Sequence, residues 1–258
     1  MPIITLTTDW GNRDYFSGAL KGLLHSSSPV VEIVDISHQV TPNSVQEAAY
    51  ILKNCYQKFP KKTLHFIGVN QYQTVPTELL AIEYEGQHFI GMNNGVFSMV
   101  FDSLPSNIVV VDQIESADPG FDMETIAATA AHLLSGNKLS DLGKSPKEFV
   151  VKRVFTPALE EQFLKGIVIY IDHFGNVVTN IDKELFESQL RGRKFEIYMR
   201  KHDVHSVDSI STQYYDKPDG EVLALFNSSG FLEIAINQAN ASKLLGLKLS
   251  DYIRIEFK

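Results

Sequence analysis

Residues 3–24 read IITLTTDWGNRDYFSGALKGLL, and this stretch decides the fold class of the N-terminal half of the chain. Residues 3–7 have the apolar and β-branched composition of a short buried strand. The polar loop DWGNRDY separates this strand from a helix that we predict over residues 16–24. A strand followed at once by a helix is the repeating unit of parallel sheets. The stretch therefore predicts an α/β domain.

The same alternation continues to about residue 150. We predict further strands at 31–36, 64–69, 79–85, 88–92 and 108–111, and further helices at 44–56 and 125–134. A turn at Glu85-Gly86-Gln87 joins two of these strands. Strands that alternate with helices indicate a mostly parallel sheet with helices on its faces.

The pattern changes beyond about residue 150. Short β-rich segments at 166–171, 177–179, 195–199, 222–226 and 252–257 are separated by turns rich in Gly, Asn, Asp and Pro. Such a pattern is typical of a small β-barrel or sandwich. Prolines and charges cluster between Lys147 and Lys165. We therefore predict an N-terminal domain over 1–150, a linker over 151–165 and a C-terminal domain over 166–258.

Composition excludes several classes of function. The 258 residues carry 23 Lys and Arg against 31 Asp and Glu, a net charge of −8, whereas a general nucleic-acid binder needs a basic surface. No apolar run approaches the roughly 18 residues of a membrane span, and the N-terminus opens directly into a strand rather than a signal segment. We expect a cytoplasmic protein that binds a small molecule and contacts neither nucleic acid nor membrane.

Asp9 follows the first predicted strand and is the first candidate site residue. In open parallel sheets, ligands bind at the carboxyl ends of the strands. A carboxylate at that place can accept hydrogen bonds from both hydroxyls of a ribose, although an isolated Asp can equally cap the following helix. The G-x-G-x-x-G and G-x-x-x-x-G-K-[ST] loops are absent, so a ligand held by its phosphates is disfavoured.

Two polar clusters occur in the C-terminal half. Residues 171–180 read IDHFGNVVTN, where a hairpin turn accounts for Gly175 and Asn176 but leaves Phe174 as an aromatic suited to stack on a purine. Residues 225–232 read LFNSSGFL, which suits either a binding loop or a polar connection between strands. His202 and His205 lie three apart without a third ligand nearby, so we expect no metal site.

Six segments, taken together, carry a family resemblance. They are TLTTDWGNRDYFSGALKG, VDISHQVTPNSVQEAAYIL, GMNNGVFSMV, AAHLLSGNKLSDLG, IDHFGNVVTNI and LFNSSGFLEIAINQANASKLLGLKLSD. In this order and spacing the chain resembles the S-adenosylmethionine (SAM) hydroxide adenosyltransferase family, which includes the SAM-dependent fluorinating and chlorinating enzymes. The resemblance implies a Rossmann-like N-terminal α/β domain, a small C-terminal β-barrel, and a homotrimer that binds SAM between neighbouring subunits. It implies no cofactor apart from SAM itself.

The resemblance also implies roles for residues of the N-terminal domain. Asp9 is expected to bind the ribose hydroxyls, and Asp14, in the same loop, to help close the pocket. Some relatives have a tryptophan after Thr41-Pro42 that packs against the sugar, whereas this chain has Asn43.

In the C-terminal domain the resemblance implies that Asp172 binds the methionine ammonium group and that Ser228 contacts the methionine end. Phe174, Asn176 and Tyr214 are expected to surround the adenine and the methionine side. A site rich in carboxylates suits a ligand that carries sulfonium and ammonium charges.

The chain departs from the hydrolytic members at three positions. Those members have an Asp, an Arg and a His that handle the attacking water, and the matching positions here hold Asn70, Thr77 and Phe121. An Asn amide cannot remove a proton at neutral pH, and losing a general base costs about 10²–10⁴ in rate. Asp122 and Glu124 are the acidic residues nearest to the lost His position.

Three hypotheses follow from this departure. The first is slow hydrolysis of SAM to adenosine and L-methionine by attack at the 5′ carbon, and the second is a non-catalytic adenosyl-ligand binder or sensor. The third is halogenation, since a halide needs no base. Against it, halogenating members have an aromatic hydroxyl at the position of Asn70, and residues 82–92 are too few to contain the insertion of the fluorinating enzymes.

Overall fold

A computed structural model describes the fold over residues 1–71, 78–112, 122–152, 155–160, 162–199 and 206–258. The chain divides into two compact units, Met1–Arg153 and Val154–Lys258. Within the part of the chain described, no helix is both long and apolar enough to cross a membrane.

The N-terminal unit contains seven strands and four α-helices in its described residues. The strands are β1 (Ile3–Thr8), β2 (Glu32–Ser37), β3 (Leu64–Gly68), β4 (Leu79–Tyr84), β5 (Gln87–Met92), β6 (Asn107–Val111) and β7 (Gly143–Lys144). The helices are α1 (Phe16–Ser27), α2 (Val45–Lys53), α3 (Val96–Val100) and α4 (Met123–Leu134), with 3₁₀ turns at Tyr56–Lys58 and Leu139–Leu142. The predicted helix over 44–56 is therefore shorter, and the five-residue α3 was not predicted.

The seven strands form one mixed sheet in the order β2-β1-β3-β5-β4-β6-β7. The pairs β1–β2, β1–β3 and β3–β5 are parallel, whereas β4–β5, β4–β6 and β6–β7 are antiparallel. The expectation of a mostly parallel sheet is wrong for the half of the sheet that contains β4, β6 and β7. The reason is local, because β4 and β5 are joined through Glu85 and Gly86, whose φ angles of 51° and 75° suit a two-residue hairpin turn.

Helices cover both faces of this sheet. On one face α1 and α4 pack with Leu6 and Phe66, and on the other α2 and α3 pack with Ile67 and Phe89. The first two helices thus lie on opposite faces, and β1 lies between β2 and β3. The winding of the chain reverses beside β1, which is where open α/β sheets bind ligands.

The C-terminal unit is built around one antiparallel sheet. Its strands are β8 (Ala158–Leu159), β9 (Phe163–Ile171), β10 (Val177–Asp182), β11 (Phe195–Met199), β12 (Ser206–Val207), β13 (Val222–Phe226), β14 (Phe231–Ile236) and β15 (Tyr252–Phe257). Two helices, α5 (Lys183–Leu190) and α6 (Ala241–Leu245), and a 3₁₀ turn at Tyr214–Asp216 complete the described elements. The stretch 151–165, which we predicted as a linker, contains β8 and the first residues of β9.

The strands follow the order β12-β11-β15-β9-β10-β14-β13, with β8 paired to β9. Ile210, just after β12, bridges to Ala224 on β13, so the two ends of the sheet approach each other. The sheet curls almost into a barrel around a core that includes Leu164, Ile197 and Ile234. Mixed α/β architecture with two sheets is therefore the observed fold class.

Candidate functional site

Asp9 lies at the carboxyl end of β1, at the point where the winding of the chain reverses. Its backbone N–H donates to the carbonyl of Gly68 at the end of β3, with a distance of 3.3 Å between nitrogen and oxygen. The residue does not cap α1, because the N-cap position is Tyr15 and no side chain caps that helix. The alternative interpretation of Asp9 as a helix cap is wrong.

The carboxylate of Asp9 is held by two backbone amides. Its Oδ2 accepts the N–H of Asn43 at 2.8 Å and the N–H of Asn70 at 3.1 Å. Both asparagines have left-handed backbones, with φ angles of 66° and 50°, a conformation that Asn tolerates better than most residues. Asp9 is only half-buried, and its Oδ1 has no hydrogen bond among the described residues. One oxygen is therefore anchored and the other is open to a ligand.

Further residues support this arrangement. Asn94 is buried and donates its Nδ2 to the carbonyl of Val69 at 2.8 Å, which holds the segment leading to Asn70. Trp10 donates its Nε1 to Oε1 of Gln71 at 3.0 Å. Sequence reasoning missed these supports, although Asn94 lies in the quoted GMNNG segment.

Of the three positions at which the resemblance leads us to expect a catalytic triad, the structure describes Asn70, whereas Thr77 and Phe121 lie outside the described residues. Asp122, a candidate substitute for the missing base, caps α4 instead. Its Oδ1 accepts the backbone N–H of Thr125 at 3.0 Å, and its Oδ2 accepts the hydroxyl of the same residue. Both oxygens of Asp122 are thus occupied by the helix that it begins.

Two other acidic candidates of the N-terminal unit are exposed. Asp14 lies in the bend before α1, and Glu124 lies in the first turn of α4. Neither carboxylate has a hydrogen bond or an ion pair among the described residues, so the structure assigns these side chains no partner.

In the C-terminal unit, Asp172 and Asn176 form one tight turn. Asp172 Oδ1 accepts the Asn176 backbone N–H at 2.8 Å, and its Oδ2 accepts Nδ2 of the same residue at 3.0 Å. Gly175 between them has a φ of 89°, and a Cβ there would lie 2.1 Å from the Asn240 side chain. Phe174 lies at the tip of this turn with 74% of its surface exposed. Asp172, Phe174 and Asn176 thus share one short loop, in which the first and last are hydrogen-bonded to each other and the aromatic ring is exposed.

Tyr214 is joined to this region through a residue that sequence reasoning missed. Its hydroxyl donates to Oε1 of Glu233 at 2.7 Å, and Asn227 donates its Nδ2 to Oε2 of the same carboxylate at 3.2 Å. Burial raises the pKa of Glu233 above its ordinary value, and the nearby charge of Asp172 raises it further. Burial also raises the pKa of Tyr214, as does its bond to Glu233. A glutamate within the apolar run LEIAI was the available signal.

Ser228 occupies the turn that follows Asn227 and is exposed. The N–H of Gly230 closes this turn by donating to the carbonyl of Asn227 at 2.9 Å. The Ser228 side chain has no hydrogen bond among the described residues. Its neighbour, rather than Ser228 itself, connects the turn to Glu233.

No group of three or more His, Cys, Asp or Glu side chains in the described ranges is arranged to hold a metal ion. His202 and His205, the pair considered from the sequence, lie outside those ranges.

The fold and these clusters define a class of protein. It has an α/β unit with an anchored carboxylate at its switch point and an antiparallel unit with polar loops gathered round a buried carboxylate. Such groups suit a small ligand that offers hydroxyls and cationic groups.

The comparisons with known proteins identify the family. The profile of the SAM hydroxide adenosyltransferase N-terminal domain matches residues 4–143, and that of the C-terminal domain of the same family matches residues 166–254. The chain belongs to the SAM hydroxide adenosyltransferase family, which confirms the resemblance drawn from the six segments.

Two relatives and one solved structure illustrate the similarity. An (R)-S-adenosyl-L-methionine hydrolase of Methanocaldococcus jannaschii is 29% identical over 99% of this chain and 96% of its own length. A fluorinase of an Actinoplanes species is 26% identical over 96% of this chain and 95% of its own. A crystal structure of an uncharacterized conserved protein from Thermotoga maritima superposes with a TM-score of 0.86 at 28% identity, over 98% of this chain and 99% of that one.

Proposed function

We propose that this protein binds SAM and hydrolyses it slowly to adenosine and L-methionine. The observation that carries the proposal is the state of Asp9, whose Oδ2 is anchored by two backbone amides while its Oδ1 stays open at the switch point of the sheet. Membership of the family and the similarity to SAM hydrolases support the choice of ligand.

In the N-terminal unit, Asp9 Oδ1 accepts the ribose hydroxyls of the bound ligand. Asn43 donates its backbone N–H to Asp9. Asn43 therefore affects the sugar only through the position of the Asp9 carboxylate. Asp14 helps to close the pocket from the same loop.

In the C-terminal unit, Asp172 binds the methionine ammonium group and Ser228 contacts the methionine end. Phe174 stacks against the adenine, while Asn176 and Tyr214 line the adenine and methionine side. The exposure of Phe174 and the shared turn of Asp172 and Asn176 support these assignments.

The chemistry of the reaction explains why it proceeds slowly. Methionine leaves from the 5′ carbon as a neutral thioether and needs no acid, so in-line placement in a site that excludes bulk water supplies much of the rate. The attacking water must lose a proton, yet Asn70 can only orient it and Asp122 is bound to its own helix. We expect a rate about 10²–10⁴ below that of a relative with its base.

The finer architecture is part of the same proposal. The N-terminal unit is a Rossmann-like domain and the C-terminal unit a small β-barrel, corresponding to domains 1–150 and 166–258. The protein is a cytoplasmic homotrimer whose subunits share each site, and it requires no cofactor. The strand order around β1 supports the Rossmann-like assignment, and the curled C-terminal sheet supports the barrel.

A second candidate function is a non-catalytic adenosyl-ligand sensor. The Asn70 amide, which lacks the basicity of the Asp found in hydrolytic members, favours it.

The test is incubation of the purified protein with SAM, with and without chloride, followed by chromatography of the nucleosides. Adenosine above background supports hydrolysis, and 5′-chloro-5′-deoxyadenosine would identify a halogenase instead. Calorimetric binding without either product supports the sensor. Absence of both binding and product would refute the proposal.

The triad positions provide a second test. The combined variant Asn70→Asp, Thr77→Arg and Phe121→His is expected to raise the hydrolysis rate by about 10²–10⁴, because it restores the groups that handle water. The single variant Thr77→Arg serves as the control for added charge. No gain from the combined variant would contradict a pocket that is otherwise competent.

A further inference from the structure

Three separate loops of the C-terminal unit carry the residues to which we assign ligand contacts. They are the turn at 172–176, the 3₁₀ turn at Tyr214–Asp216 and the turn at 227–230. Glu233 on β14 has hydrogen bonds to two of these loops and lies near enough to Asp172 in the third for that charge to act on it. One side chain therefore bonds to two of the loops, and the charge of Asp172 in the third acts on it.

Two backbone hydrogen bonds fix the orientation of the Asn227 side-chain amide, so that its NH₂ group faces Glu233. Asn227 Oδ1 accepts the backbone N–H of Ser229 at 3.0 Å and that of Phe231 at 3.2 Å. The amide cannot rotate by half a turn without losing both bonds, so its Nδ2 must face Glu233. The position of the turn that carries Ser228 is therefore tied to the Glu233 carboxylate.

The bond to Tyr214 acts in the same way on the second loop. Tyr214 is 41% exposed, yet its hydroxyl reaches the carboxylate of Glu233, a residue that is only 4% exposed. The buried end of the ring is thus fixed, while the remainder of the ring is available to a ligand. A carboxylate is costly to bury unless donors satisfy it, and here two neutral donors do so.

We propose that Glu233 is a positioning residue for the adenosyl ligand, whose buried carboxylate holds the Tyr214 ring and the Asn227–Ser228 turn in register beside Asp172. The inference rests on the proposed function, since it concerns affinity for the same ligand. In this role Glu233 acts on the ligand through Tyr214 and the turn, and does not itself contact the ligand.

Two substitutions separate geometry from charge. In Glu233→Gln, the new Oε1 can accept from Asn227 and the new Nε2 can donate to the oxygen of Tyr214, so both hydrogen bonds survive without the charge. In Glu233→Ala, both bonds are lost. A positioning role therefore predicts that Glu233→Gln keeps most of the SAM affinity that Glu233→Ala loses.

The experiment is calorimetric titration of the full-length protein with SAM, with urea denaturation of each ligand-free variant. We expect Glu233→Gln to bind within about 3-fold of the unaltered protein and Glu233→Ala about 10- to 100-fold more weakly. Tyr214→Phe should weaken binding by several-fold, and its effect should not add to that of Glu233→Ala, because both remove the same bond.

Asn180→Ala is the matched control. Asn180 is also a buried polar residue of the C-terminal unit, with Nδ2 donating to the carbonyl of Phe155 at 2.6 Å and Oδ1 accepting the N–H of Ile167 at 2.8 Å. The variant should lower stability but leave SAM affinity unchanged at temperatures where it is folded.

The outcomes distinguish this inference from the proposed function. If the unaltered protein does not bind SAM, the proposed function fails and the inference with it. If it binds but Glu233→Gln loses as much affinity as Glu233→Ala, the charge acts directly and the positioning role is overturned alone. Full affinity of Tyr214→Phe would also overturn it, and that variant remains informative should Glu233→Ala fail to fold.

Discussion

Asp9 allows folding and binding to be separated by two substitutions at one position. In Asp9→Asn, the amide oxygen can still accept the N–H groups of Asn43 and Asn70, while an NH₂ group replaces the open Oδ1. In Asp9→Ala, both backbone amides lose their acceptor. We therefore expect the Asn variant to fold normally and to bind adenosyl ligands poorly.

The magnitudes follow from these contacts. Asn43 is exposed and Asn70 half-buried, so water can replace part of what Asp9→Ala removes, and we expect a loss of about 1–2 kcal/mol in the free energy of unfolding. A hydrogen bond to a charged group contributes about 1.5–3 kcal/mol. Loss of two ribose hydroxyl contacts at the lower value gives about 3 kcal/mol, or roughly 100-fold in affinity.

The assay is titration calorimetry with SAM and, separately, with adenosine. Both ligands carry the ribose, so Asp9→Asn should weaken both by the same factor. Asp102→Asn is the control, because Asp102 is an exposed carboxylate of the same unit that pairs with Lys53. If Asp9→Asn binds both ligands within about 2-fold of the unaltered protein, the ribose role of Asp9 is refuted.

Three further predictions concern stability. Asp122→Ala removes the cap on the N–H of Thr125 and should cost about 1 kcal/mol in urea denaturation without reducing turnover of SAM. Burial lowers the pKa of His65 to about 4 from an ordinary 6.5, so the unfolded chain binds the proton first. Stability should therefore fall as the pH drops from 6.5 to 4, by up to about 3 kcal/mol, and less in His65→Gln. Gly175→Ala should destabilise the C-terminal unit by about 2–4 kcal/mol, because its backbone is left-handed and its Cβ would overlap Asn240.

Each of these predictions can fail in a definite way. A large loss of turnover in Asp122→Ala would show that this carboxylate takes part in the reaction after all. An identical pH dependence in His65→Gln would show that another group causes the acid sensitivity. An unchanged denaturation curve for Gly175→Ala would show that the turn relaxes easily to accommodate the added Cβ.

Local patterns in the sequence predicted most of the strands and helices of the N-terminal unit, but not α3 or β7. Residues 3–24 predicted β1, the loop and α1, and the same pattern put Asp9 at the end of a strand. Such predictions succeed because burial of one face of a strand or helix makes apolar residues recur at a regular spacing along the sequence. Six segments in register also identified the family.

Tertiary structure decided what depends on residues far apart in the chain. The anchoring of Asp9 requires backbone amides 34 and 61 residues away. Since every residue except proline has such an amide, the sequence does not show which ones donate to Asp9. Glu233 is one charge in an apolar strand, and only the curled sheet places it beside Tyr214, 19 residues earlier. From the sequence alone, the family, the main alternation of strands and helices and the position of Asp9 after the first strand could be predicted. Strand order and the pairing of buried polar groups emerged only from packing, because each hydrogen bond depends on the relative positions of distant segments.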